Sequence, residues 1–243
     1  MNNLYYFSDD ELALLASLLN GSVVYGVESK LFSTFKESYH QRVFELFEQL
    51  EEKKIIRMDY EGNIRIQPDV YDLITVLIQP TQLLSLQTNY FNGQKERHLY
   101  YKKDGKILHL KKGKVYHQVS FENNPPKLNN LPLEINETIT QWDLDKVDDY
   151  FDWFDEDGAF QYLSQKVKEP QLLMNMIQKK QDELIVEYYR WLTPLRVDSQ
   201  NLTVGFMNQE AYEWYQEDDL IYIQGGFKRY DSILEAMFME VEK

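Results

Sequence analysis

Residues 95–121 read KERHLYYKKDGKILHLKKGKVYHQVSF. Two dipeptides punctuate this stretch, Asp104-Gly105 and Lys112-Gly113, and both tolerate the positive φ that a two-residue hairpin turn demands. They separate three runs rich in β-branched and aromatic residues: His98–Lys103, Lys106–Lys111 and Lys114–Phe121. The pattern predicts an antiparallel meander, entered from strand-like sequence that begins near Leu83. Residues 95–117 hold eight Lys+Arg against two Asp+Glu, so the exposed face of the meander is expected to be basic.

Upstream, Ser8-Asp9-Asp10-Glu11 has the spacing of a capping box, with Ser8 and Glu11 each able to satisfy the other's backbone amide. Leu12, Leu15, Ala16 and Leu19 then recur at helical spacing, and Asn20-Gly21 supplies residues suited to a helix end. A second helix is predicted over Ser38–Lys53, with Val43, Phe47 and Leu50 as its apolar stripe. Two short strands follow, Ile55–Asp59 and Asn63–Gln67, joined at Glu61-Gly62. Pro68 opens a third helix whose Val70, Leu73, Ile74 and Leu77 face inward, and Pro80 ends it. Helices followed by a hairpin have the order of a winged helix. A DNA-reading helix needs a basic face. This one sets Glu37, Glu45, Glu48, Glu51 and Glu52 against Arg42, Lys53 and Lys54, so DNA binding is not expected.

Downstream, Asn123-Asn124-Pro125-Pro126-Lys127 breaks the pattern and is the expected boundary between an N-terminal half, 1–124, and a C-terminal half, 125–243. In the second half a helix is predicted from Trp142. A longer one is predicted from Pro170 to Trp191, with Leu173, Ile177, Leu184, Tyr188 and Trp191 on its apolar side. Leu202–Asn208, Ala211–Gln216 and Leu220–Phe227 read as a second meander, and Asp231–Val241 as a closing helix. The expected fold class is α+β: two halves, each with helices packed on an antiparallel β-meander. The duplication shows in the order of elements and not in residue identity.

The chain has 243 residues, 43% apolar, enough to bury a sizeable core. It has no cysteine, which removes disulfides, zinc–thiolate sites, iron–sulfur clusters and a thiol nucleophile. The opening residues have no basic region followed by an apolar run, so a secretory signal is not expected. The longest apolar stretch, Val70–Ile78, is too short to cross a bilayer. The net charge is −14 and sits in the second half, where residues 128–243 hold 10 Lys+Arg and 24 Asp+Glu. Such a half repels phosphate backbones.

No sequence motif supplies catalytic chemistry. There is no nucleophile elbow, no phosphate loop and no His-Glu-x-x-His. His98, His109 and His117 fall on neighbouring predicted strands, but without acids at matching alternation they read as surface strand residues and not as metal ligands. Asp152–Gly158 fails as a calcium loop, since the first and last ligand positions are Trp153 and Ser164. No metal, cofactor or catalytic residue is expected. One stretch stands out. Residues 143–157 hold eight acids and one Lys, interleaved with aromatics from Trp142 to Tyr162. An acid-rimmed aromatic patch is how protein interfaces grip a partner. Trp142, Phe151, Trp153, Tyr212 and Trp214 are the candidate partner-binding anchors.

The order and spacing of several segments carry a resemblance. They are Phe7-Ser8-x-x-Glu11-Leu12-x-x-Leu15; Val24-Tyr25-Gly26-Val27-Glu28-Ser29-Lys30-Leu31-Phe32; Leu50-Glu51-Glu52-Lys53-Lys54-Ile55-Ile56; Pro68-Asp69-Val70; and a helix ending at Ile78-Gln79-Pro80 before a meander. Over residues 4–121 the chain resembles EsaE (also called EssE), a cytosolic component of type VII secretion in Gram-positive bacteria. More distantly it resembles the EspG chaperones of mycobacterial-type ESX systems. The resemblance implies two pseudo-symmetric α+β halves around a central sheet. It also implies a cytoplasmic, non-enzymatic chaperone that keeps a secreted helical effector soluble and passes it to the membrane secretion ATPase. The implied client is a WXG-like or LXG-type toxin; neither nucleic acid nor stable membrane insertion is implied. The alternatives are a regulator built on a degenerate winged helix and an acidic hydrolase.

Overall fold

The computed structural model describes residues 3–21, 24–31, 36–90, 93–122, 183–193, 196–207, 210–217 and 220–238. Among these residues lie four helices, α1 (Asp9–Leu18), α2 (Lys36–Glu52), α3 (Pro68–Ile78) and α4 (Lys228–Phe238). The strands are β1 (Tyr5–Phe7), β2 (Ile56–Met58), β3 (Ile64–Ile66), β4 (Gln82–Asn89), β5 (Lys95–Lys103), β6 (Lys106–Lys111), β7 (His117–Phe121), β8 (Glu183–Thr193), β9 (Arg196–Met207), β10 (Glu210–Glu217) and β11 (Leu220–Gly225). Nine of them are hydrogen-bonded in the order β1-β7-β6-β5-β4-β8-β9-β10-β11, and β2 and β3 form a separate hairpin. The fold is mixed α+β with an antiparallel sheet, as expected. The predicted boundary near residue 125, the helix from Trp142 and residues 170–182 lie outside the described residues.

The chain forms two compact units that interleave along the sequence. The first is Met1–Leu84, His98–Asn124 and Arg190–Asp198; the second is Ser85–Arg97, Pro125–Tyr189 and Ser199–Lys243. In the first unit, Asp104 and Gly105 take φ of 49° and 74°, the two positive values that close the β5–β6 hairpin. Register then stacks Leu99 on Leu110, Tyr101 on Leu108, and Leu110 on Val119. These side chains, with Phe7, are fully buried. Helix α3 lies against β6, and α1 against α2 and α3. The capping box forms as read: the Glu11 amide donates to Ser8 Oγ at 3.2 Å, and the Ser8 amide to Glu11 Oε2 at 2.9 Å. The predicted helix ends and the small hairpin also agree with the structure to within a few residues.

Two expectations are corrected, and one strand is added. The helix predicted from Pro170 to Trp191 is a strand over Glu183–Thr193. Leu184 and Tyr188 are four apart, a spacing that fits a helix turn and two strand periods equally. Val186 between them is also fully buried, and that decides for the strand. The second β-turn at Lys112-Gly113 is a longer connection, because β7 begins at His117 and not at Lys114. The His117 ring closes that loop by accepting the Gly113 amide at Nδ1, 3.1 Å. Strand β1 was not anticipated: three residues are too few for alternation to register, yet Tyr5, Tyr6 and Phe7 pair antiparallel with β7.

Candidate functional site

Of the five sequence-predicted anchors, Trp142, Phe151 and Trp153 lie outside the described residues. Tyr212 and Trp214 are on β10, in the second unit, confirming the strand assignment of that segment. Tyr212 is paired with Gly205 of β9 and Gly225 of β11; Trp214 is paired with Thr203 and Ile223. The residue between them is Glu213, which is fully buried. Its carboxylate accepts the backbone amides of Arg229 (3.1 Å) and Tyr230 (2.7 Å) at the start of α4. A buried carboxylate at a helix N-terminus satisfies donors that have no intrahelical partner and matches the positive end of the helix dipole. Glu213 therefore pins α4 to one side of β10, and the Arg229 guanidinium adds to this by lying 3.5 Å from the centre of the Tyr215 ring. The two aromatic positions thus alternate with a rigidly held strand residue. Sequence reading passed over Glu213 because one acid among many carries no signal of burial.

A polar strip runs along β4, β5 and β8 in the same unit. Arg97 donates to Ser85 Oγ at 3.2 Å and to Glu187 Oε2 at 3.1 Å. Asn89 donates to Glu183 Oε1 at 2.6 Å, and Gln87 to Asn89. Ser85 is fully buried, whereas Arg97 and Glu187 are about a quarter exposed, at 25% and 29%. The only local hint of it was the alternation of Ser85, Gln87 and Asn89 along β4. The long-range pairing was not legible.

The basic face expected over residues 95–117 does not form as a unit. Pairing divides its cations between the two faces of the sheet, and acidic or amide partners hold four of the eight. Lys106 meets Asp72 at 2.6 Å, Lys112 meets Glu28 at 2.8 Å, Arg97 meets Glu187, and Lys103 donates to Gln79.

The histidines are corrected as well. His117 is fully buried, with Nε2 3.0 Å from Asp9 Oδ1 but out of line for a hydrogen bond. His98 Nδ1 and His109 Nε2 are 2.8 Å apart, so one ring donates to the other, and His109 is stacked on Tyr100 with centroids 4.5 Å apart. No group of three acids or histidines that can hold a metal occurs among the described residues. Burial, then the neighbouring His98 and Lys111, push His109 from its ordinary 6.5 down to about 4. Burial and the charge of Glu122 push the Tyr100 hydroxyl well above its usual range.

A pH dependence follows. Between pH 6.5 and about 4 the unfolded chain binds a proton at His109 that the folded chain refuses. Stability is therefore unaffected by this group above that window and falls as pH drops through it, by on the order of 2–3 kcal/mol. His109→Phe keeps a ring against Tyr100 and removes the proton site. The difference in urea midpoint between wild type and variant should change across this window and be constant above it. Parallel profiles would refute the assignment.

No helix among the described residues is long and apolar enough to cross a membrane. No protein-family model matches the chain, and no curated protein matches it in sequence. Among solved structures, the chain is similar to the type VII secretion system chaperone EspG5 of Mycobacterium tuberculosis, solved in complex with a PE25–PPE41 dimer. The TM-score is 0.53 at 8% sequence identity, over 97% of this chain and 95% of that one. At that identity the likeness shows an EspG-like fold, and it runs through nearly the whole of both chains.

Proposed function

We propose that the protein is a cytoplasmic chaperone of type VII secretion that binds a secreted helical effector, holds it soluble and presents it to the membrane secretion ATPase, without catalysing a reaction. The observation that carries this reading is the EspG-like fold across 97% of the chain. The sequence resemblance to EsaE over residues 4–121 points to a Gram-positive client of the WXG-like or LXG type. We further read residues 1–124 and 125–243 as a pseudo-symmetric pair. The strand order supports this: β4 to β7 and β8 to β11 are each followed outward through the sheet as a four-strand run.

In this reading the client docks on the second half, on Trp142, Phe151, Trp153, Tyr212 and Trp214. Aromatic side chains supply large contact area at low entropic cost, and the surrounding acids steer the client and limit self-association. Alanine substitution of each aromatic, with client affinity and melting temperature measured together on purified chaperone and effector, tests the site. A true anchor should lose on the order of 2 kcal/mol of binding with its melting temperature unchanged. Normal binding by all five variants would move the site elsewhere. Failure of any WXG-like or LXG protein to co-purify from the native cytosol would refute the chaperone role itself.

A further inference from the structure

The β2–β3 hairpin carries an arrangement that folding alone disfavours. Its register sets Arg57 directly opposite Arg65. Directly opposed residues on one face of a strand pair have Cβ atoms about 5 Å apart, and like charges there are destabilising. Both arginines are exposed, Arg65 with 81% of its side chain accessible. Asp59 Oδ2 stands 4.0 Å from Arg65, and Arg57 has no ion-pair partner among the described residues. Lys54, exposed just before β2, adds to the same charge. The other face of the hairpin is ordinary: Ile56 is buried, and Ile64 and Ile66 are half-buried.

The hairpin is also rigid at its tip. Asp59 Oδ1 accepts the amides of Glu61 and Asn63 at 3.0 and 2.9 Å, its Oδ2 accepts from Asn63 Nδ2, and Gly62 takes the positive φ of 84° that the turn needs. These hydrogen bonds hold the Asp59 carboxyl below its usual range, so it stays ionised and the turn stays fixed. What the fixed turn displays is Tyr60, fully exposed, beside Met58, which is 53% exposed. An opposed arginine pair, of which only Arg65 has a carboxylate within 4.0 Å, shares this hairpin with a fully exposed tyrosine, and both residue types are enriched at binding hot spots. A charge conflict that one ion pair at 4.0 Å only partly relieves marks a place shaped by something other than stability.

We propose that this hairpin is a docking element for an acidic polypeptide segment, one whose paired carboxylates bridge Arg57 and Arg65 while an apolar side chain rests on Tyr60. Charge complementarity selects the class. A carboxylate pair relieves the Arg57–Arg65 repulsion with bidentate geometry. A short acidic segment can rest on the hairpin alone, whereas the long phosphate run of duplex DNA would also meet α2, which packs beside β2 and exposes Glu48, Glu51 and Glu52. This surface is independent of the aromatic anchors in the second half, so the two assignments stand or fall separately.

The test uses the full-length protein and a fluorescein-labelled peptide of glutamates interspersed with phenylalanine, followed by anisotropy. Wild type should bind the peptide, and binding should weaken as salt rises. Arg57→Glu/Arg65→Glu should weaken it by at least about tenfold. Arg57→Thr should weaken binding while its melting temperature is equal to or above that of wild type, because the opposed charge is gone and threonine suits a strand. The proposal is overturned if the peptide does not bind, if the double variant binds it unchanged, or if Arg57→Thr lowers the melting temperature. It is also overturned if labelled duplex DNA binds more tightly than the peptide, or if wild type self-associates in sedimentation through these arginines, which would assign the face to a second copy.

Discussion

Replacing Lys53 by methionine is expected to destabilise the protein by roughly 2–3 kcal/mol although the side chain reaches the surface. Lys53 Nζ lies 2.7 Å from Glu11 Oε1, and Glu11 is only 1% exposed. The other Glu11 oxygen already accepts the Ser8 amide of the capping box. One carboxylate therefore starts α1 and receives the ammonium that follows α2. The same ammonium sits 3.3 Å from the carbonyl of Tyr6 in β1 and 5.2 Å from the centre of the Tyr116 ring. Taking the ammonium away leaves a buried carboxylate with one hydrogen bond, and losing one partner of a buried pair costs more than the pair contributes. The full 3–5 kcal/mol seen for wholly buried pairs is not expected, since Lys53 is 37% exposed and water partly replaces its charge. The double variant Glu11→Gln/Lys53→Met has no buried charge and keeps an acceptor for the Ser8 amide. It should be more stable than Lys53→Met alone. Urea midpoints of the four proteins give the coupling directly; simple additivity would show that the ion pair is incidental.

This pair also shows where sequence reading stops. Ser8 and Glu11 are three apart, so the capping box was legible from local spacing alone. Lys53 is 42 residues from Glu11, and nothing in either segment names the other. Asp104-Gly105, the wing-like hairpin and the helix opened by Pro68 were legible for the same reason as the capping box: each is a local conformational demand answered by adjacent residues. Over Glu183–Thr193 local information was ambiguous, because the 184–188 spacing serves both periods, and the strand is settled by burial of Val186. The site divides the same way. Tyr212 and Trp214 were placed on a strand from alternation, but Glu213, which fixes that strand to α4, acts through backbone amides 16 and 17 residues away. The basic patch failed because composition counts charges and does not count their partners.

The second large effect is expected at Gly26. Gly26→Ala should cost about 3 kcal/mol, from two independent sources. Its φ is +76°, where an L side chain costs about 1–2 kcal/mol. A Cβ there would also fall 2.3 Å from Leu99 Cδ1. Leu99 is fully buried in β5 and stacked on Leu110 across the sheet, so it has no open space to turn into. Overpacking of this kind costs about 1–3 kcal/mol. The neighbouring chain cannot retreat either, because Tyr101, itself fully buried, donates its hydroxyl to the Tyr25 carbonyl. Gly62→Ala is the control: its φ of +84° is just as adverse, but nothing lies within 4 Å of its Cβ position. It should cost only the backbone part, about 1 kcal/mol. The difference between the two variants in chemical denaturation isolates the packing contribution. Equal losses would mean that Leu99 yields, and that Gly26 is required for its backbone angle alone. A larger loss at Gly26 means that Val24-Tyr25-Gly26-Val27 is a packing element that seats one segment on the sheet. Under the proposed chaperone role, substitutions there would weaken client binding only in proportion to stability, whereas a true client contact would lose binding with stability intact.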